Sequence, residues 1–439
     1  MWPYISDLLD RPVPRYTSYP TAAEFAPVDA GFHEAGFDDL APGASVSLYA
    51  HIPFCEKICW YCGCNTGAAN RAHRLTAYLD ALHAEIETVA ERLGNQRPIT
   101  QIAFGGGSPN AIDPVDFVRL LDHLCIAFDA FDARLSIELD PRSLTPEWSA
   151  LLGRAGVSHA SLGVQTFDPD LQARIGRIQP AESIERAVAG LRDNGVTSLN
   201  FDLMYGLPGQ THAALAETLK QAVALQPDRI ALFGYAHLPA LIKRQQRIDA
   251  SDMPDGRARF DMAALGFEML TAAGYVPIGF DHFARAGDGL AQAFEAGTMR
   301  RNFQGFNDDP SDALIGLGAS AISSFPDRFV QNEKNSGRYR MRAGANMLTA
   351  ERGVLRIPAD RQRGRIIERL LCAGTADIGG VRMSAAMHDR LAHLTALGLV
   401  ERDGDRVTIT PDGRPYGRTI ASLFDAYRGV QEKRFSSAV

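Results

Sequence analysis

Three cysteines fall within eight residues of this chain. Cys55, Cys59 and Cys62 stand at C-x3-C-x2-C spacing inside His51-Ile-Pro-Phe-Cys-Glu-Lys-Ile-Cys-Trp-Tyr-Cys-Gly-Cys64. So short a loop can fold round one metal centre and aim three thiolates at it from one side. A cubane iron–sulfur cluster needs four ligands, so three cysteines leave one iron open, and an open iron is where chemistry happens. Tyr61 stands just before the third cysteine. A structural zinc site with Cys64 as fourth ligand would use the same residues, although zinc ligands usually come as separated C-x2-C pairs. Disulfides fit less well, since nothing in the chain reads as secreted.

These residues need a scaffold. From Ser45 onward short β-rich runs alternate with amphipathic helical stretches. The runs are Val46–His51, Ile102–Phe104, Leu135–Leu139, Ala160–Val164, Leu199–Met204 and Ile230–Tyr235. Helical periodicity marks Leu75–Leu93, Pro114–Phe128 and Ile184–Asn194. Six β-α repeats predict an α/β fold whose parallel sheet curves into a partial (β/α)6 barrel. In such folds sites gather at the C-terminal ends of the strands. Distinctive residues do follow each run. The cysteine loop follows the first and Gly105-Gly106-Gly107-Ser108-Pro the second; Glu138-Leu-Asp140-Pro-Arg142 closes the third. Gly163-Val-Gln165, with Arg177 beyond, ends the fourth, Asp202-Leu-Met-Tyr205 the fifth and Gly234-Tyr-Ala236-His237 the sixth. Three glycines let a backbone approach a ligand closely. An acid in an apolar strand, Glu138, must face solvent or the barrel mouth. Singly each reads as structural; their recurrence at equivalent places reverses that.

The cysteine run resembles the signature of the radical S-adenosylmethionine (SAM) enzymes. Three further stretches, Tyr49-Ala-His-Ile-Pro-Phe-Cys55, Cys62-Gly-Cys64-Asn and Arg15-Tyr-Thr-Ser-Tyr-Pro-Thr21, are similar to the oxygen-independent coproporphyrinogen III oxidases of haem biosynthesis. The similarity runs from about Arg15 to Ser323 and more weakly to the end. It implies that Cys55, Cys59 and Cys62 hold a [4Fe-4S] cluster whose fourth iron binds SAM. Tyr49, Gly106 and Glu138 would serve that SAM. Gln165, Arg177, Asp202, Ala236 and Ile322 would line a second SAM site, with Tyr61, Gly107 and Ser108 beside both. The chain has Ser108 where the family usually has Thr, which keeps the hydroxyl, and Gly234 where Asn is common, which alters one wall. The implied reaction is reductive cleavage of SAM to a 5′-deoxyadenosyl radical. That radical takes a hydrogen from a propionate β-carbon; loss of CO2 and one electron leaves a vinyl group, twice per coproporphyrinogen III, giving protoporphyrinogen IX. No titrating base is needed in the first step, which suits the lack of a His/Asp or Cys/His dyad. Two relatives of the same core fold are the rivals: a haem carrier that decarboxylates nothing, and a haem-opening methyltransferase. Cys64, the Arg15–Thr21 arm and Asn302-Phe-Gln-Gly305 resemble the oxidase rather than the carrier.

Composition frames the rest. At 439 residues and 46% hydrophobic content the chain can bury a large core. Its start lacks the charged and apolar regions of a signal peptide, and no run of 18 apolar residues occurs; the expected location is the cytoplasm. Cys125 and Cys372 read as ordinary buried thiols. A net charge of −7 argues against nucleic acid and means that a polyanionic substrate needs a local basic pocket. The expected partners are coproporphyrinogen III and an outside electron donor such as flavodoxin or ferredoxin, acting on a monomer. Candidate carboxylate partners are Arg15 in the arm, Arg285 after the apolar strand Val276–Ile278, and the pair Arg300-Arg301. Gly316-Leu-Gly318-Ala-Ser-Ala321 fits G-x-G-x-x-A but opens no βαβ unit, so it carries no dinucleotide reading. The expected divisions are an arm over 1–45, the barrel and its extension over 46–355, and a small, mostly helical, winged-helix-like C-terminal domain over 356–439. The last is read from helical patterns at Gly364–Cys372 and Ser384–Leu397 and a hairpin turning at Asp403-Gly-Asp405. On an acidic protein it reads as a lid or packing module, not a DNA reader.

Overall fold

In the computed structural model, which describes residues 2–428 apart from 10, 70–71 and 95–96, six parallel strands carry the site. They are β1 (Val46–Ile52), β2 (Ile99–Gly106), β3 (Arg134–Leu139), β4 (Val157–Gln165), β5 (Ser198–Tyr205) and β6 (Arg229–Gly234). They pair in sequence order, every pair parallel. Parallel neighbours need long crossovers, supplied by helices α1 (Ala72–Leu93), α2 (Pro114–Phe128), α3 (Pro146–Arg154), α4 (Ala181–Asp193) and α5 (His212–Ala224). α2 shows why the chain folds this way locally. Asp113 caps it through Val115 N–H at 2.9 Å, and proline stands at its first turn. Phe117, Leu120, Leu121, Leu124 and Phe128 then recur on one face and are buried. Asp129 ends the helix in the left-handed region at φ 51°.

The sheet is wider than six strands. Ala313–Leu317 adds a seventh parallel strand beside β1, and Ile322–Ser324, Arg328–Asn332, Ala350–Leu355 and Ala26–Pro27 continue antiparallel to make thirteen with the other edge. At that edge His282–Arg285 runs antiparallel to β6, followed by Tyr275–Ile278. Residues 240–355 therefore carry much of the sheet, although their sequence looks irregular. Strands such as Ala313–Leu317 and Arg328–Asn332 are buried along their whole length, so no polar–apolar alternation marks them. One buried acid locks this extension to the barrel. Glu85 of α1 accepts from Gly318 N (2.6 Å), Thr349 Oγ1 (2.6 Å), Tyr339 Oη (2.7 Å) and Asn332 Nδ2 (2.9 Å). Four donors offset the cost of burying the carboxylate, whose pKa burial still raises.

The end of the barrel opposite the strand termini is closed by ion pairs. Arg134 meets Asp308 at 2.7 Å, and Arg229 bridges Asp288 at 2.7 Å and Asp308 at 3.4 Å. Above this plug lies a cavity of about 330 Å³ bordered by Glu138, Ser161, Asp202, Phe233 and His282. After the extension come helices Pro358–Ala373 and Ala385–Ala396 and the hairpin Val400–Asp403 with Arg406–Ile409. A third strand, Thr375–Asp377, which the sequence did not announce, pairs with Arg406–Ile409. Leu9, Val13, Tyr16 and Tyr19 of the arm share one core with Ile366, Leu370, Ile420 and Phe424, whereas Phe37 and Leu40 join the barrel core. Residues 9–19 of the arm and 366–424 thus pack together across the barrel mouth. Residues 429–439 of the expected C-terminal domain lie outside the described residues.

Candidate active site

The cysteine loop leaves the end of β1 and is pinned on both sides. Phe54–Cys55 pairs with Gly67–Ala68, and Trp60 N–H donates to Ile175 O at 3.1 Å. Trp60 packs where a Cβ on Gly176 would stand, 2.5 Å from its ring; Gly176 also has φ +65°, so glycine is required twice over. The sulfur of Cys59 is the one the protein engages most. Arg177 Nη1 approaches it at 3.2 Å and Arg142 Nη2 at 3.3 Å, while both guanidiniums also bond Asp140. Cys64 is exposed and its backbone N–H donates to Cys62 Sγ at 3.4 Å.

The three glycines at the end of β2 cross directly beneath this loop. Gly107 N–H donates to Ile52 O (2.9 Å) and Ser108 N–H to Phe54 O (2.7 Å). A Cβ on Gly107 would lie 2.4 Å from Phe54 O, and one on Gly106, at φ +110°, 2.4 Å from the His51 ring. Gly107→Ala is expected to unseat the loop, costing about 3 kcal/mol because a backbone oxygen cannot step aside; thermal unfolding measures it. Ser108 Oγ donates to buried Asn110 Oδ1 at 2.7 Å, so the hydroxyl in place of Thr keeps a partner. Glu138 turns into the barrel and accepts Gly106 N–H at 3.0 Å. Protein surrounds its carboxyl although the cavity lets water reach it. Burial and nearby Asp202 push its pKa up to about 7, against the Gly106 bond. Tyr49 Oη meets His51 Nδ1 at 3.2 Å beside it.

Gln165, closing β4, holds φ +66°, a strained backbone for a residue with a side chain. Asp202 takes bonds from Asn200 Nδ2 (2.9 Å) and Ser161 Oγ (3.2 Å). Gln245 ties the cysteine loop to the sixth strand end: its amide donates to Tyr61 O (2.8 Å) and Ala236 O (3.0 Å), and its oxygen accepts Leu238 N–H (2.5 Å). Ile322 begins the strand that pairs with Ala313–Leu317, its backbone 2.8 Å from where a Cβ on Gly316 would stand. The arrangement can hold a thiolate-ligated cluster and, beside it, a polar ligand reaching both the glycine backbone and Glu138. One further observation fits such a group: Arg177 Nε is buried and meets no acceptor among the described residues.

Comparison with known proteins agrees with this geometry. The family model for the radical SAM superfamily matches residues 49–222. The oxygen-independent coproporphyrinogen III oxidase of Bradyrhizobium diazoefficiens is 43% identical, over 97% of this chain and 97% of that one. That of Pseudomonas aeruginosa is 37% identical over 97% and 96%. The chain belongs to the oxygen-independent coproporphyrinogen III oxidase family. Among solved structures the coproporphyrinogen III oxidase (HemN) of Escherichia coli, described as a radical SAM enzyme, superposes with a TM-score of 0.89 at 36% identity, covering 94% of this chain and 97% of that one.

For a member of this oxidase family the nominated arginines fall in very different places. Arg15 reaches the barrel mouth, where its Nη2 donates to Gly234 O at 3.3 Å. Arg285 does not. Its strand runs antiparallel to β6, which carries it to the closed end; its N–H bonds Asp228 O and its guanidinium lies over Tyr275. Arg300 pairs outward with Glu368 at 3.1 Å. Arg301 is buried over Phe306 and Phe280 and donates to the backbone oxygens of Arg15 and Tyr16, so it anchors the arm. The Gly316–Ala321 stretch is no dinucleotide loop: Gly318, at φ +100°, lets the chain pass 2.6 Å from His51 O and Tyr78 Oη, measured from a Cβ placed there. Sequence reasoning missed the two guanidiniums on Cys59 and the Gln245 clamp, since neither has a local motif. Removing the clamp in Gln245→Ala strands two carbonyls and is expected to cost about 2 kcal/mol and loosen the loop; proteolysis within 55–69 of the cluster-free protein would rise.

Proposed function

We propose that this chain converts two propionate side chains of coproporphyrinogen III to vinyl groups, giving protoporphyrinogen IX without oxygen, as a cytoplasmic monomer fed by an outside one-electron donor of the flavodoxin or ferredoxin class. One observation carries the reading: a relationship spanning nearly the whole chain joins it to enzymes of that name, and its three-cysteine loop stands at the strand ends beside Glu138. When bound, a [4Fe-4S] cluster and SAM supply a one-electron carbon-radical oxidation of the propionate β-carbon, after which CO2 and a further electron leave.

The residues take the following parts. Cys55, Cys59 and Cys62 hold the cluster, and Arg142 and Arg177 offset the charge on Cys59. Glu138 accepts from an ammonium group while Tyr49 and the Gly106 backbone border the same ligand. Gln165, Arg177, Asp202, Ala236 and Ile322 border a second SAM, with Tyr61, Gly107 and Ser108 between the two. The ion-paired floor of the barrel excludes water from one end. The arm, clasped by Arg301, and residues 356–428 cover the other end.

The test is anaerobic. Cluster-reconstituted protein is given SAM, coproporphyrinogen III, a reductant and an electron acceptor, and the porphyrins are weighed by mass spectrometry. Two successive losses of CO2 plus two hydrogens are expected. Unchanged substrate beside tightly bound haem would overturn the reading in favour of a haem carrier.

A further inference from the structure

Lysine is rare in this chain, and its few copies are not scattered. Five occur in 439 residues: Lys57, Lys220, Lys243, Lys334 and Lys433. Three of them border the cysteine loop. Lys57 lies in the loop itself, just beyond Cys55, and is exposed. Lys334, also exposed, stands where Asn65 Nδ2 reaches its backbone oxygen at 3.1 Å. Lys243 opens a short 3₁₀ turn, Lys243–Arg247, that lies on the flank of the loop. Arg244 of that turn donates to Thr66 Oγ1 at 3.0 Å and to Cys64 O at 3.4 Å. Ile242 fits against Gly63, where a Cβ would come 3.1 Å from its Cδ1. Lys243 and Arg247 are left exposed beside the cysteines.

These charges are not answered locally. Lys220, on helix α5, pairs with Glu217 at 3.8 Å. Among the described residues no ion pair holds Lys57, Lys243, Arg247 or Lys334. Two acids close by are engaged elsewhere: Glu333 takes Arg338 at 2.7 Å, and Asp249 accepts Ser251 N–H at 2.9 Å. Glu56 is the exposed acid within the loop. On a chain of net charge −7, such a face is a local reversal of sign. Leu241, 64% exposed, stands beside it. Lysine rather than arginine matters here. Arg142 and Arg177 fork onto a fixed carboxylate, Asp140, whereas an ammonium on a flexible stem is a hydrated point charge. It attracts an acidic surface without locking to it, which suits a contact that forms and parts at every turnover.

We propose that this face docks a small acidic one-electron carrier protein, with its carboxylates against Lys57, Lys243 and Lys334. The inference rests on the one-electron supply proposed above. Electron transfer through protein weakens steeply with separation, so a carrier must come up against the loop whose sulfurs would hold the cluster. The loop leaves that approach open, since Cys64 is exposed and Cys55 and Cys62 are only half-buried. Its other side is closed by the β2 glycines, which bond Ile52 O and Phe54 O through Gly107 and Ser108. The surrounding cations steer an acidic carrier into place, and Leu241 gives it an apolar contact. Redox encounters use small, salt-sensitive interfaces of this kind.

The test uses the full-length, cluster-reconstituted protein and two probes, an acidic flavodoxin and an acidic [2Fe-2S] ferredoxin. Binding is followed by calorimetric titration, and cluster reduction by stopped-flow absorbance. Saturable binding of at least one carrier is expected, weakening as salt rises from about 20 to 200 mM. Lys57→Glu, Lys243→Glu and Lys334→Glu combined should raise its Kd by about 10- to 100-fold and slow reduction by that carrier to a similar extent. Iron content and the end point of dithionite reduction should match wild type, and the three Lys→Arg changes should keep the affinity. Lys220→Glu, the same charge change on α5, should leave the Kd unaltered. Wild-type Kd and rate in the triple glutamate variant overturn the proposal. So does equal weakening by Lys220→Glu, equally tight binding of a short single-stranded DNA, or no binding of either carrier. If the triple variant fails to fold or to hold iron, Lys243→Glu and Lys334→Glu alone decide. Wild-type protein that the carrier binds and reduces, yet that forms no vinyl product, would sink the proposed function and leave the docking face standing. Vinyl formation driven equally well by the carrier in wild type and triple variant would do the reverse.

Discussion

Cys55→Ser is expected to give a colourless protein with no iron above background and no detectable decarboxylation. The loss should be total because the three proposed ligands lie in one short loop and two cysteines cannot retain a cubane against water. Cys59→Ser should do the same and also leave Arg142 and Arg177 facing a hydroxyl in place of a sulfur. Cys64→Ser is the discriminating control. That residue is exposed and follows the three-cysteine set, so its iron and sulfide content and its visible absorption should match the unsubstituted protein. Cluster loss from Cys64→Ser with retention in Cys62→Ser would show that the third ligand has been assigned to the wrong sulfur.

Glu138→Gln is expected to weaken SAM binding by about 10- to 100-fold, the value of a charged hydrogen bond, measured by equilibrium dialysis of the cluster-loaded protein. The same substitution changes stability in the opposite direction. The Glu138 pKa rises from 4.5 to about 7 on folding, so the folded chain binds this proton more tightly than the unfolded chain. Its contribution is therefore most favourable below about pH 4.5, falls as pH climbs towards 7, and is a net penalty above that. One pKa unit is about 1.4 kcal/mol. Water from the cavity screens the carboxylate, so the whole shift is not realised; a penalty on the order of 1 kcal/mol is expected. Glutamine carries no such charge. Ligand-free Glu138→Gln should unfold at a higher temperature than the unsubstituted protein at pH 8 and at nearly the same temperature at pH 5. Equal stability gains at both pH values would mean that Glu138 is not buried enough to titrate abnormally.

The Gly107 and Glu138 results bear on the same ligand from two sides. Gly107 keeps the strand ends within hydrogen-bonding distance of the cysteine loop, and Glu138 supplies the charge opposite the Gly106 backbone. A variant that folds but lacks Glu138 separates loss of charge from loss of shape.

What the amino-acid sequence determined by itself is local. Cys55, Cys59 and Cys62, the proposed ligands, are legible because their spacing is set within one loop, and β1 to β6 because short β-rich runs alternate with helical stretches, even where polar residues interrupt them as in Arg134-Leu-Ser-Ile-Glu-Leu139. The rule that sites gather at strand ends then brought Glu138, Gln165, Asp202 and Ala236 to one mouth. Only the tertiary structure decided the contacts that join distant segments. Arg142 and Arg177 reach Cys59 across 83 and 118 positions, and nothing near either arginine announces it. Arg285 looked like a substrate partner until the antiparallel direction of its strand carried it to the closed end. Arg418 reads as a routine residue of a C-terminal helix until the fold sets that helix over the barrel mouth, beside Arg15 from the opposite end of the chain. The physical reason is the same in each case. Strand and helix periods and ligand spacings are short-range properties of the chain, whereas the charge environment of a pocket is a sum over groups that only packing brings together.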